Sequence, residues 1–446
     1  MTSSHQYVLV TGANSGLGLG ICCSLTDEFL ARANPDQKLT IIYTTRSNRK
    51  ASDTLATLEQ HLAKHGSCTE STRRVYFQPE NVDLCNLLSV RALGRKLVES
   101  DLPQINAIVL NAGIGGWTGL NWPLAVWTIL TEIRQATTWP KFKLGAVGLI
   151  TEPQFPQDKS LGSEEPVLGQ VFCANVFGHY MLVHWLMPLL RACTSDSPGK
   201  IIWTSSIEPS IHNYNPEDHQ GLRTDAAYEH SKRLTDNLAL TADGQPSTAD
   251  SVKDYTTSSA STRAGSVRPD LCAPVFHLGH PGICATTIVD IYAILMPFYT
   301  LGVYLARWCG SVWANVSIYK GALALSWLAL AMPAEIKSKE IEYAGSSRGQ
   351  VKWGSSTARW GRTSVKPSEV QGWGINGTGK PFKDTWWAGQ VGRKYGAKDA
   401  TTEDLEEFVS TGAIAWKQME TLRKEWEARI EAYEAKEEKP SNGHLL

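Results

Sequence analysis

Short runs of β-branched and apolar residues alternate along the first part of the chain with longer stretches in which apolar residues recur at helical spacing. The runs that predict buried strands are 7–11, 39–45, 75–78, 107–110, 201–205 and 275–278. Strands that alternate with amphipathic helices form βαβ units, whose strands pair in a parallel sheet. The pattern therefore predicts an α/β fold with a doubly wound, Rossmann-type parallel sheet.

Segments that depart from this rhythm predict additions to the sheet domain. We expect a catalytic domain over 1–286 with inserts at 117–149 and 241–270, an apolar segment over 287–334, and a Gly- and Trp-rich stretch with a C-terminal helix over 335–446. The second insert is rich in Ser, Thr, Ala, Gly and Asp, which bury little apolar area and predict a surface loop. The C-terminal helix, over 402–439, has many Glu and Lys residues, so we expect it to face solvent and pack on one side.

The apolar segment is dense in Leu, Ile, Tyr and Trp, and its longest uncharged run is 291–306. This run is shorter than the ~20 residues that a membrane-spanning helix needs, and Pro297 and Gly302 interrupt it. A helix that lies in the membrane interface needs only one apolar face. We therefore expect the segment to contact a membrane surface or the substrate, with an ordinary core helix or a homodimer face as the alternatives.

The charge balance narrows the classes of partner. The chain of 446 residues carries 43 basic and 44 acidic residues, which leaves no positive field for nucleic acid. The nine cysteines show no Cys-x-x-Cys spacing, so we expect reduced thiols and no metal. Residues 1–6 are polar and lack the features of a signal peptide, which predicts a catalytic part that faces the cytosol.

A glycine-rich turn follows the first predicted strand and opens a helix. It contains Gly12, Ser15, Gly16, Leu17 and Gly18. Glycines allow a tight turn and a close approach of the backbone to a ligand, while the free amides and the positive end of the helix dipole attract a pyrophosphate. One such motif is weak evidence, and a plain strand-to-helix turn is the alternative. Its place at the first βα junction favours a nicotinamide dinucleotide site.

Charged residues at the ends of the second and third strands bear on the type of nucleotide. NAD sites typically place an acidic residue after the second strand, whereas this strand ends in Arg46. A cation there suits a 2′-phosphate, so Arg46, with help from Arg49 or Lys50, favours NADP(H); the alternative is an arginine that only solvates a loop. Asp83 follows the third strand and is predicted to bind the adenine amino group, to cap a helix, or to do both.

The strongest catalytic candidates are Tyr228 and Lys232, preceded by a strand that ends in Ser205-Ser206. Their spacing places Tyr228 and Lys232 on one face of a helix. A nearby ammonium favours the phenolate, which lowers the pKa of the phenol and makes it a usable acid near neutral pH. We expect Ser206 to hydrogen-bond the substrate oxygen as charge develops on it. Taken alone, the pair also fits an exposed helical tyrosine and lysine.

Over residues 7–286 these motifs resemble, in identity and order, those of the short-chain dehydrogenase/reductase family. The matching positions are Thr11, Gly12, Gly16, Gly18, Asn111-Ala112-Gly113, Asn175, Ser206, Tyr228, Lys232, Pro281-Gly282 and Thr286. The resemblance implies that Asn175 supports a proton-relay water and that Lys232 holds the nicotinamide ribose. It also implies cofactor contacts at Asn111, Asn175, Tyr228, Lys232, Gly282, Ile283 and Thr286. Relative to many members, 208–226 is an inserted loop, which leaves Ser205 as the alternative to Ser206.

The first insert points to the substrate. It contains Trp122-Pro123, Trp127, Trp139-Pro140 and Lys141-Phe142-Lys143, a combination similar to the fungal 3-keto-steroid reductases of sterol C4-demethylation. Flanking aromatic residues such as Trp117 also suit a large apolar ligand, because their faces bury much area.

The resemblance to sterol reductases implies a complete functional hypothesis. It implies NADPH-dependent reduction of a 3-keto sterol to the 3β-hydroxysterol of ergosterol biosynthesis. It also implies a place on the cytosolic face of the endoplasmic reticulum membrane or on lipid droplets, beside other enzymes of C4-demethylation. The alternatives are a reductase of another lipophilic carbonyl (retinal, a lipid aldehyde or a polyketide) and a non-catalytic scaffold for sterol enzymes.

Overall fold

The structure, a computed structural model, describes residues 5–66, 73–136, 141–155, 165–257, 272–284, 296–308, 310–344, 350–377, 393 and 397–437. Its strands are β1 (His5–Val10), β2 (Lys38–Thr45), β3 (Val75–Asn81), β4 (Ala107–Leu110), β5 (Trp117–Leu120), β6 (Lys143–Gly145), β7 (Lys200–Thr204), β8 (Val275–His280), β9 (Ile283–Cys284), β10 (Ala314–Val316), β11 (Lys352–Thr357) and β12 (Thr363–Ser368). Its helices are α1 (Gly16–Arg32), α2 (Asn48–Leu62), α3 (Leu87–Glu99), α4 (Trp122–Thr131), α5 (Ile133–Ala136), α6 (Gln170–Phe172), α7 (Gly178–Trp185), α8 (Met187–Arg191), α9 (Ala227–Leu240), α10 (Ala249–Thr256), α11 (Met296–Trp308), α12 (Ile318–Leu330), α13 (Pro333–Ala344) and α14 (Thr402–Glu437). A π-turn, Cys173–Phe177, joins α6 to α7, and 3₁₀ turns occupy Ala63–His65 and Pro216–Asp218.

Eight strands form one sheet in the order β3-β2-β1-β4-β7-β8-β11-β12. The pairings from β3 to β11 are parallel, and β12 is antiparallel to β11. In the central register, Val8 of β1 lies opposite Ile41 of β2 and Ala107 of β4. The chain order reverses between β1 and β4, and ligands bind at the carboxyl ends of strands beside such a switch point. The predicted Rossmann-type sheet is confirmed, and the six predicted strands are β1, β2, β3, β4, β7 and β8.

The central strands read as continuous apolar runs because helices cover both faces of the sheet. Leu9 packs in the cluster that includes α3, α7 and α14, whereas its neighbours Val8 and Val10 pack in the cluster that includes α1 and α12. Alternate side chains of a strand point to opposite faces. The two clusters are thus the two hydrophobic layers on either side of the sheet.

The apolar segment predicted over 287–334 divides between core and surface. Helix α12 packs on α1 so closely that a Cβ at Gly20 would lie 2.8 Å from the Ile318 carbonyl oxygen, and Leu325 is fully buried. For this part the expected membrane or substrate contact is wrong, and the core alternative is correct. A helix that is apolar on all sides fits either environment, so its periodicity could not decide. Residues 287–295 lie outside the described residues.

Strands β11 and β12 lie beyond residue 286, the predicted limit of the catalytic domain, and extend that domain's sheet. Trp353 of β11 is fully buried and packs edge-on against Trp327 of α12, with ring centroids 5.1 Å apart. Trp360, in the turn between β11 and β12, is exposed, and Trp386 and Trp387 lie outside the described residues. Part of the Trp-rich stretch is therefore sheet core.

The second insert is not only a surface loop. Residues Ala249–Thr256 form α10, whose Tyr255 is fully buried and stacks on Tyr180 at a centroid distance of 4.0 Å. One large aromatic side chain is enough to anchor a polar segment, and composition averaged over the insert concealed it. Residues 258–270 lie outside the described residues.

Helix α14 confirms the predicted C-terminal helix and packs one side against the sheet domain. Its Trp416 and Trp426 are buried, and its Glu420 accepts a 2.7 Å hydrogen bond from the Tyr180 hydroxyl group. Arg423 pairs with Glu420 in the same buried layer, so the charges there are compensated. Among the described residues, no helix combines the length and apolar character needed to cross a lipid bilayer.

Candidate active site

A cleft of about 500 Å³ opens at the carboxyl ends of β1 and β4, where the chain order reverses. The predicted site residues that line it are Gly12, Ser15, Gly16, Leu17, Gly18, Arg46, Asp83, Asn111, Ser206, Tyr228, Lys232, Gly282 and Ile283. Thr286 lies outside the described residues. The structure thus brings together residues that the sequence spreads over more than half of the chain.

The glycine turn is shaped by backbone geometry that other residues would disturb. Gly12 and Gly16 have φ angles of 68° and 56°, in the left-handed region that favours glycine. A Cβ at Gly18 would overlap the carbonyl oxygen of Gly12. Ser15 is the N-cap residue of α1, so the first amides of α1 face the cleft. An anion is favoured at such a helix start.

Asn111 holds the turn after β4 against the turn after β1. Its backbone N–H donates to Thr11 Oγ1 at 2.9 Å, and its side-chain Nδ2 donates to the Thr11 carbonyl oxygen at 3.0 Å. Gly12 completes this contact, because a Cβ there would lie 2.8 Å from Ala112. The turns after β1 and β4 are therefore held in direct contact with each other.

Arg46 and Asp83 lie exposed on the rim of the cleft. Asp83 Oδ1 accepts a 3.0 Å hydrogen bond from the Cys85 amide. The N-cap of α3 is instead Asn86, whose Oδ1 accepts from Ser89 N at 2.9 Å. The helix-cap alternative for Asp83 is therefore wrong, and its carboxylate faces the ligand side. The glycine turn, the helix start and this charged rim fit the pyrophosphate and adenosine portions of a nicotinamide dinucleotide.

Tyr228 lies in the first turn of α9, which we call the catalytic helix, and hydrogen-bonds Ser206. Burial, then the charge of Glu208, raises the pKa of Tyr228, while the hydrogen bond with Ser206 lowers it by a smaller amount. Lys232 Nζ is 5.6 Å from the centre of the Tyr228 ring. The expected lowering of this pKa is therefore wrong for the protein alone, because burial and the nearby carboxylates outweigh the ammonium.

The partners of the two serines favour Ser206, although both serines line the cleft. Ser205 is buried, and its Oγ donates to Asp236 Oδ1 at 2.5 Å. Ser206 is partly exposed, interacts with Tyr228, and accepts a 3.2 Å hydrogen bond from the Glu208 amide. We therefore expect Ser206, rather than Ser205, to meet a substrate oxygen.

Lys232 is held by groups that the sequence did not indicate. Its Nζ donates to the Thr204 carbonyl oxygen at 2.8 Å, and burial lowers its pKa to about 8 against the opposing charge of Asp236. Asp236 forms a buried ion pair at 2.8 Å with Lys352 of β11. The buried carboxylate of Asp236 thus offsets part of the positive charge of the two ammonium groups.

Asn175 lies in the π-turn and joins the cleft to the catalytic helix. Its Oδ1 accepts from Ile114 N at 2.8 Å, and its Nδ2 donates to Ser231 Oγ at 3.0 Å. A Cβ at Gly113 would lie 2.7 Å from the same Oδ1 atom. The structure therefore gives Asn175 a positioning role directly, while its part in a proton-relay water stays a prediction.

The substrate side of the cleft contains side chains that sequence reasoning missed. Trp117 was expected there, and its ring packs on Tyr228 at 4.9 Å between centroids. Glu208 and Tyr299 also line the cleft, and only the closeness of Glu208 to Ser206 in sequence was a signal. Trp122 and Trp127, which were expected to flank the site, instead lie on α4 and are largely exposed.

A second polar cluster lies outside the cleft lining. His61 Nε2 and His65 Nε2 hydrogen-bond Asp27 Oδ1 at 2.8 and 2.6 Å, and the Tyr319 hydroxyl group donates to Oδ2 at 2.5 Å. The three His and Asp ligand atoms lie within 4.8 Å of one another, a spacing that a cation can bridge. These hydrogen bonds link α1, α2 and α12. The expectation that the protein needs no metal stays a prediction.

Known proteins resemble the chain over nearly its whole length. It is 45% identical over 440 residues to the 3-keto-steroid reductase of Aspergillus fumigatus, and the match covers 96% of each chain. It is 36% identical over 466 residues to the 3-keto-steroid reductase of Gibberella zeae, with 94% of each covered. A short-chain type dehydrogenase/reductase structure from Mycobacterium ulcerans matches at 17% identity and a TM-score of 0.40, over 73% of this chain and 83% of that one. No protein-family profile matches the chain.

Proposed function

Because the chain belongs to the family of 3-keto-steroid reductases, we propose that it reduces the 3-keto group of a sterol to a 3β-hydroxyl group with NADPH. The observation that carries the proposal is the placement of Ser206, Tyr228 and Lys232 in one cleft with a glycine-rich nucleotide turn. The reaction fits sterol C4-demethylation in ergosterol biosynthesis, where a 3-keto intermediate must be returned to the alcohol.

The chain's own residues supply the proton and the electrostatic support for the reaction. A nicotinamide nucleotide bound in the cleft supplies the hydride. Ser206 Oγ donates a hydrogen bond to the carbonyl oxygen, and the Tyr228 hydroxyl group gives its proton to that oxygen as negative charge develops. The raised pKa of Tyr228 keeps the phenol protonated at neutral pH.

Lys232 is the group best placed to stabilise and reprotonate the phenolate that Tyr228 becomes after it has donated its proton. Its ammonium stabilises the phenolate, and its pKa of about 8 lets it exchange a proton near neutral pH. Asn175 supports this step by holding the Ile114 backbone and the catalytic helix in register. We assign to the pair the return of the proton to Tyr228 after each turnover.

Arg46 is our basis for proposing NADPH rather than NADH. It lies exposed at the end of β2, on the rim of the cleft that holds the predicted adenosine portion. A guanidinium group pairs well with a 2′-phosphate, and an acidic residue at this place would repel it. We assign Gly282 and Ile283, which also line the cleft, to the nicotinamide end.

The wall beyond Tyr228 supports a large apolar substrate. Trp117 and Tyr299 line the cleft from β5 and α11, and Ile114 and Ile207 add apolar lining. Broad aromatic faces bury much area of a flat, rigid ligand such as a sterol ring system. The same wall also admits retinal or a lipid aldehyde, so substrate competition is part of the test.

We also propose that the protein works on the cytosolic face of the endoplasmic reticulum membrane or on lipid droplets, beside other C4-demethylation enzymes. The support is apolar surface on the two helices that adjoin the cleft wall. On α4, Trp127 and Leu130 are 67% and 78% exposed, and on α11, Leu301 and Trp308 are 51% and 47% exposed. Apolar groups of this size bind a membrane interface without crossing it.

Vesicle flotation tests the membrane proposal. We expect the wild-type protein to float with neutral phosphatidylcholine vesicles and the double variant Trp127→Glu/Leu130→Glu to bind several-fold less. Trp360→Glu is the matched control, because Trp360 is 88% exposed but lies in the turn between β11 and β12. Equal flotation of all three proteins would contradict the proposed surface.

Substrate competition tests the proposed reaction. Purified protein is offered zymosterone, retinal and a small aromatic ketone, each with NADPH and with NADH, and the alcohols are identified by mass spectrometry. We expect NADPH-linked formation of the 3β-hydroxysterol in preference to the other alcohols. Turnover of retinal or the aromatic ketone alone would replace the sterol assignment with the second candidate. A protein that binds NADPH but reduces none of them would favour the scaffold alternative.

A further inference from the structure

The hairpin of β5 and β6, from the first insert, docks onto the start of the catalytic helix. Gly145 of β6 lies so close to the Asp225 carbonyl oxygen that a Cβ there would overlap it. Asp225 lies two positions before Ala227, where the catalytic helix begins. The insert is therefore built against the helix that carries Tyr228.

This docking brings one lysine into contact with two carboxyl groups. Lys143 of β6 forms an ion pair with Glu208, and its Nζ lies 3.6 Å from an Oε1 atom of Glu229. Lys143 is only 10% exposed, and Glu208 and Glu229 are 20% and 15% exposed. We call these three residues the charge cluster. Charges this sheltered interact more strongly than surface charges.

The charge cluster lies directly over the rings of the substrate wall. Lys143 Nζ is 4.2 Å from the centre of the Trp117 ring and 5.7 Å from the centre of the Tyr228 ring. Trp117 in turn packs on Tyr228. The cluster thus adjoins the proton donor.

The protonation of the cluster follows from its composition. One ammonium group meets two carboxyl groups here, so the carboxyl groups outnumber it. Burial, then the neighbouring Glu208, raises the pKa of Glu229 to about 7, against the opposing charge of Lys143. Glu229 therefore holds its proton more tightly than an ordinary glutamic acid.

The groups around Tyr228 come from every element packed on it. Lys232 and Glu229 lie on the same helix as Tyr228, Glu208 follows β7, and Lys143 comes from β6. Tyr299 of α11 interacts electrostatically with Glu208. The two carboxyl groups oppose a phenolate, and the two ammonium groups favour it. The proton affinity of Tyr228 is set by this balance.

We propose that Lys143, Glu208 and Glu229 form a charge cluster whose opposing charges set how far into the alkaline range Tyr228 stays in its proton-donating form. The inference rests on the proposed reductase function, because only a carbonyl reduction needs this form. The three are positioning residues, since they act through Tyr228. No proton is consumed by the cluster in the reaction.

The test compares variants that remove a negative charge with variants that remove a positive charge, because the two should shift the pH dependence in opposite directions. Glu208→Gln removes a negative charge, so Tyr228 loses its proton more easily, and the alkaline limit of kcat/KM for ketone reduction moves down by about one pH unit. Lys143→Met removes a positive charge and moves the same limit up. Lys143→Arg restores the wild-type limit. The double variant Lys143→Met/Glu208→Gln returns close to wild type because the changes oppose each other.

A direct titration of Tyr228 keeps the test independent of turnover. Protein labelled with ¹³C at the tyrosine ring is titrated by NMR, and the Tyr228 signal is assigned by its loss in Tyr228→Phe. We expect Glu208→Gln to begin its titration at lower pH than the wild type and Lys143→Met at higher pH. Shifts in the same direction, or no shift in either variant, would overturn the proposal. Opposed NMR shifts in a protein that reduces no ketone would retain the cluster and refute the reductase function.

Discussion

The two halves of the cleft are built in different ways. The nucleotide half consists of turns after β1, β4 and β8, and its working groups are backbone amides held by Gly12, Gly18 and Asn111. The substrate half consists of side chains such as Trp117 and Glu208, brought from the first insert and from the loop after β7. Nucleotide binding therefore depends mainly on backbone groups, and the chemical step depends on side chains. Changes in the two halves should therefore separate nucleotide affinity from turnover.

The largest effect is expected from the serine pair behind Tyr228. Ser206→Ala removes a hydrogen-bond donor to the developing alkoxide, so we expect kcat to fall by about 100–1000-fold while NADPH still binds. Ser205→Ala keeps kcat within about threefold but lowers the free energy of unfolding by ~1–3 kcal/mol, because Asp236 loses a buried partner. Steady-state kinetics and urea unfolding measure the two effects. Equal losses of kcat in both variants would mean that the serines are not divided as described.

The nucleotide half is tested by a glycine. In Gly18→Ala the new methyl group overlaps the Gly12 carbonyl oxygen, so the turn must shift, and we expect NADPH to bind about 100-fold more weakly, or ~3 kcal/mol. Gly302→Ala is the matched control, because Gly302 is also helical and a Cβ there meets open space. Fluorescence titration with NADPH gives both affinities. Unchanged affinity in Gly18→Ala would refute the close-packed turn.

A smaller effect is expected at the rim of the nucleotide half. Arg46→Ala should raise the KM for NADPH about 10-fold and leave the KM for NADH nearly unchanged, because only the 2′-phosphate loses its partner. Lys64→Ala is a suitable control, since Lys64 is an exposed cation that does not line the cleft. The ratio of kcat/KM for the two nucleotides is the quantity to measure. If both KM values rise together, Arg46 does not select the nucleotide.

The smallest effect is expected outside both halves. Burial alone would raise the pKa of Asp27, but hydrogen bonds from Tyr319, His65 and His61 outweigh it and lower the pKa. The folded state then holds the proton less tightly than the unfolded state. Asp27 therefore stabilises the fold above its unfolded pKa, and this stabilisation is lost as pH falls through the lowered folded value.

Asp27→Asn should lower the free energy of unfolding by about 1 kcal/mol at pH 7, the size of a partly exposed hydrogen bond. The difference from wild type should shrink at pH 4 and below. Denaturant unfolding at several pH values measures it. A difference that grows on acidification would contradict the sign of the argument, and a change in kcat would show that the cluster is not independent of the cleft.

The nucleotide half was predictable because its requirements are local. The φ of Gly12 favours glycine, and only a residue without a side chain fits at Gly18, so each requirement can be recognised from the residue type at that position. The six strands were predictable for a related reason, since strands buried on both faces must be continuously apolar. The Tyr228 and Lys232 spacing belongs to the same class of local signal.

The substrate half depends on packing between segments that are distant in the sequence. This packing cannot be recognised from the residue type at any single position. From the sequence alone, Lys143 and Lys352 would be interpreted as solvated surface charges. Only the position of β6 beside the catalytic helix, and of β11 in the sheet, shows their buried ion pairs. The expected lowering of the pKa of Tyr228 by Lys232 failed for this reason, because burial and then the charge of Glu208 raise this pKa, and both depend on how distant segments pack. Apolar content alone also could not separate the buried α12 from the partly exposed α11.

The most direct test of the account is a single-turnover reduction of a 3-keto sterol by enzyme preloaded with NADPH, in wild type and in Tyr228→Phe. The account predicts rapid oxidation of NADPH in the wild type and a rate at least ~100-fold lower in the variant, because the proton donor is gone. NADPH affinity should be the same in both proteins, since the nucleotide half is unchanged. A variant that reduces the sterol at the wild-type rate would contradict the role of Tyr228 and with it the mechanism.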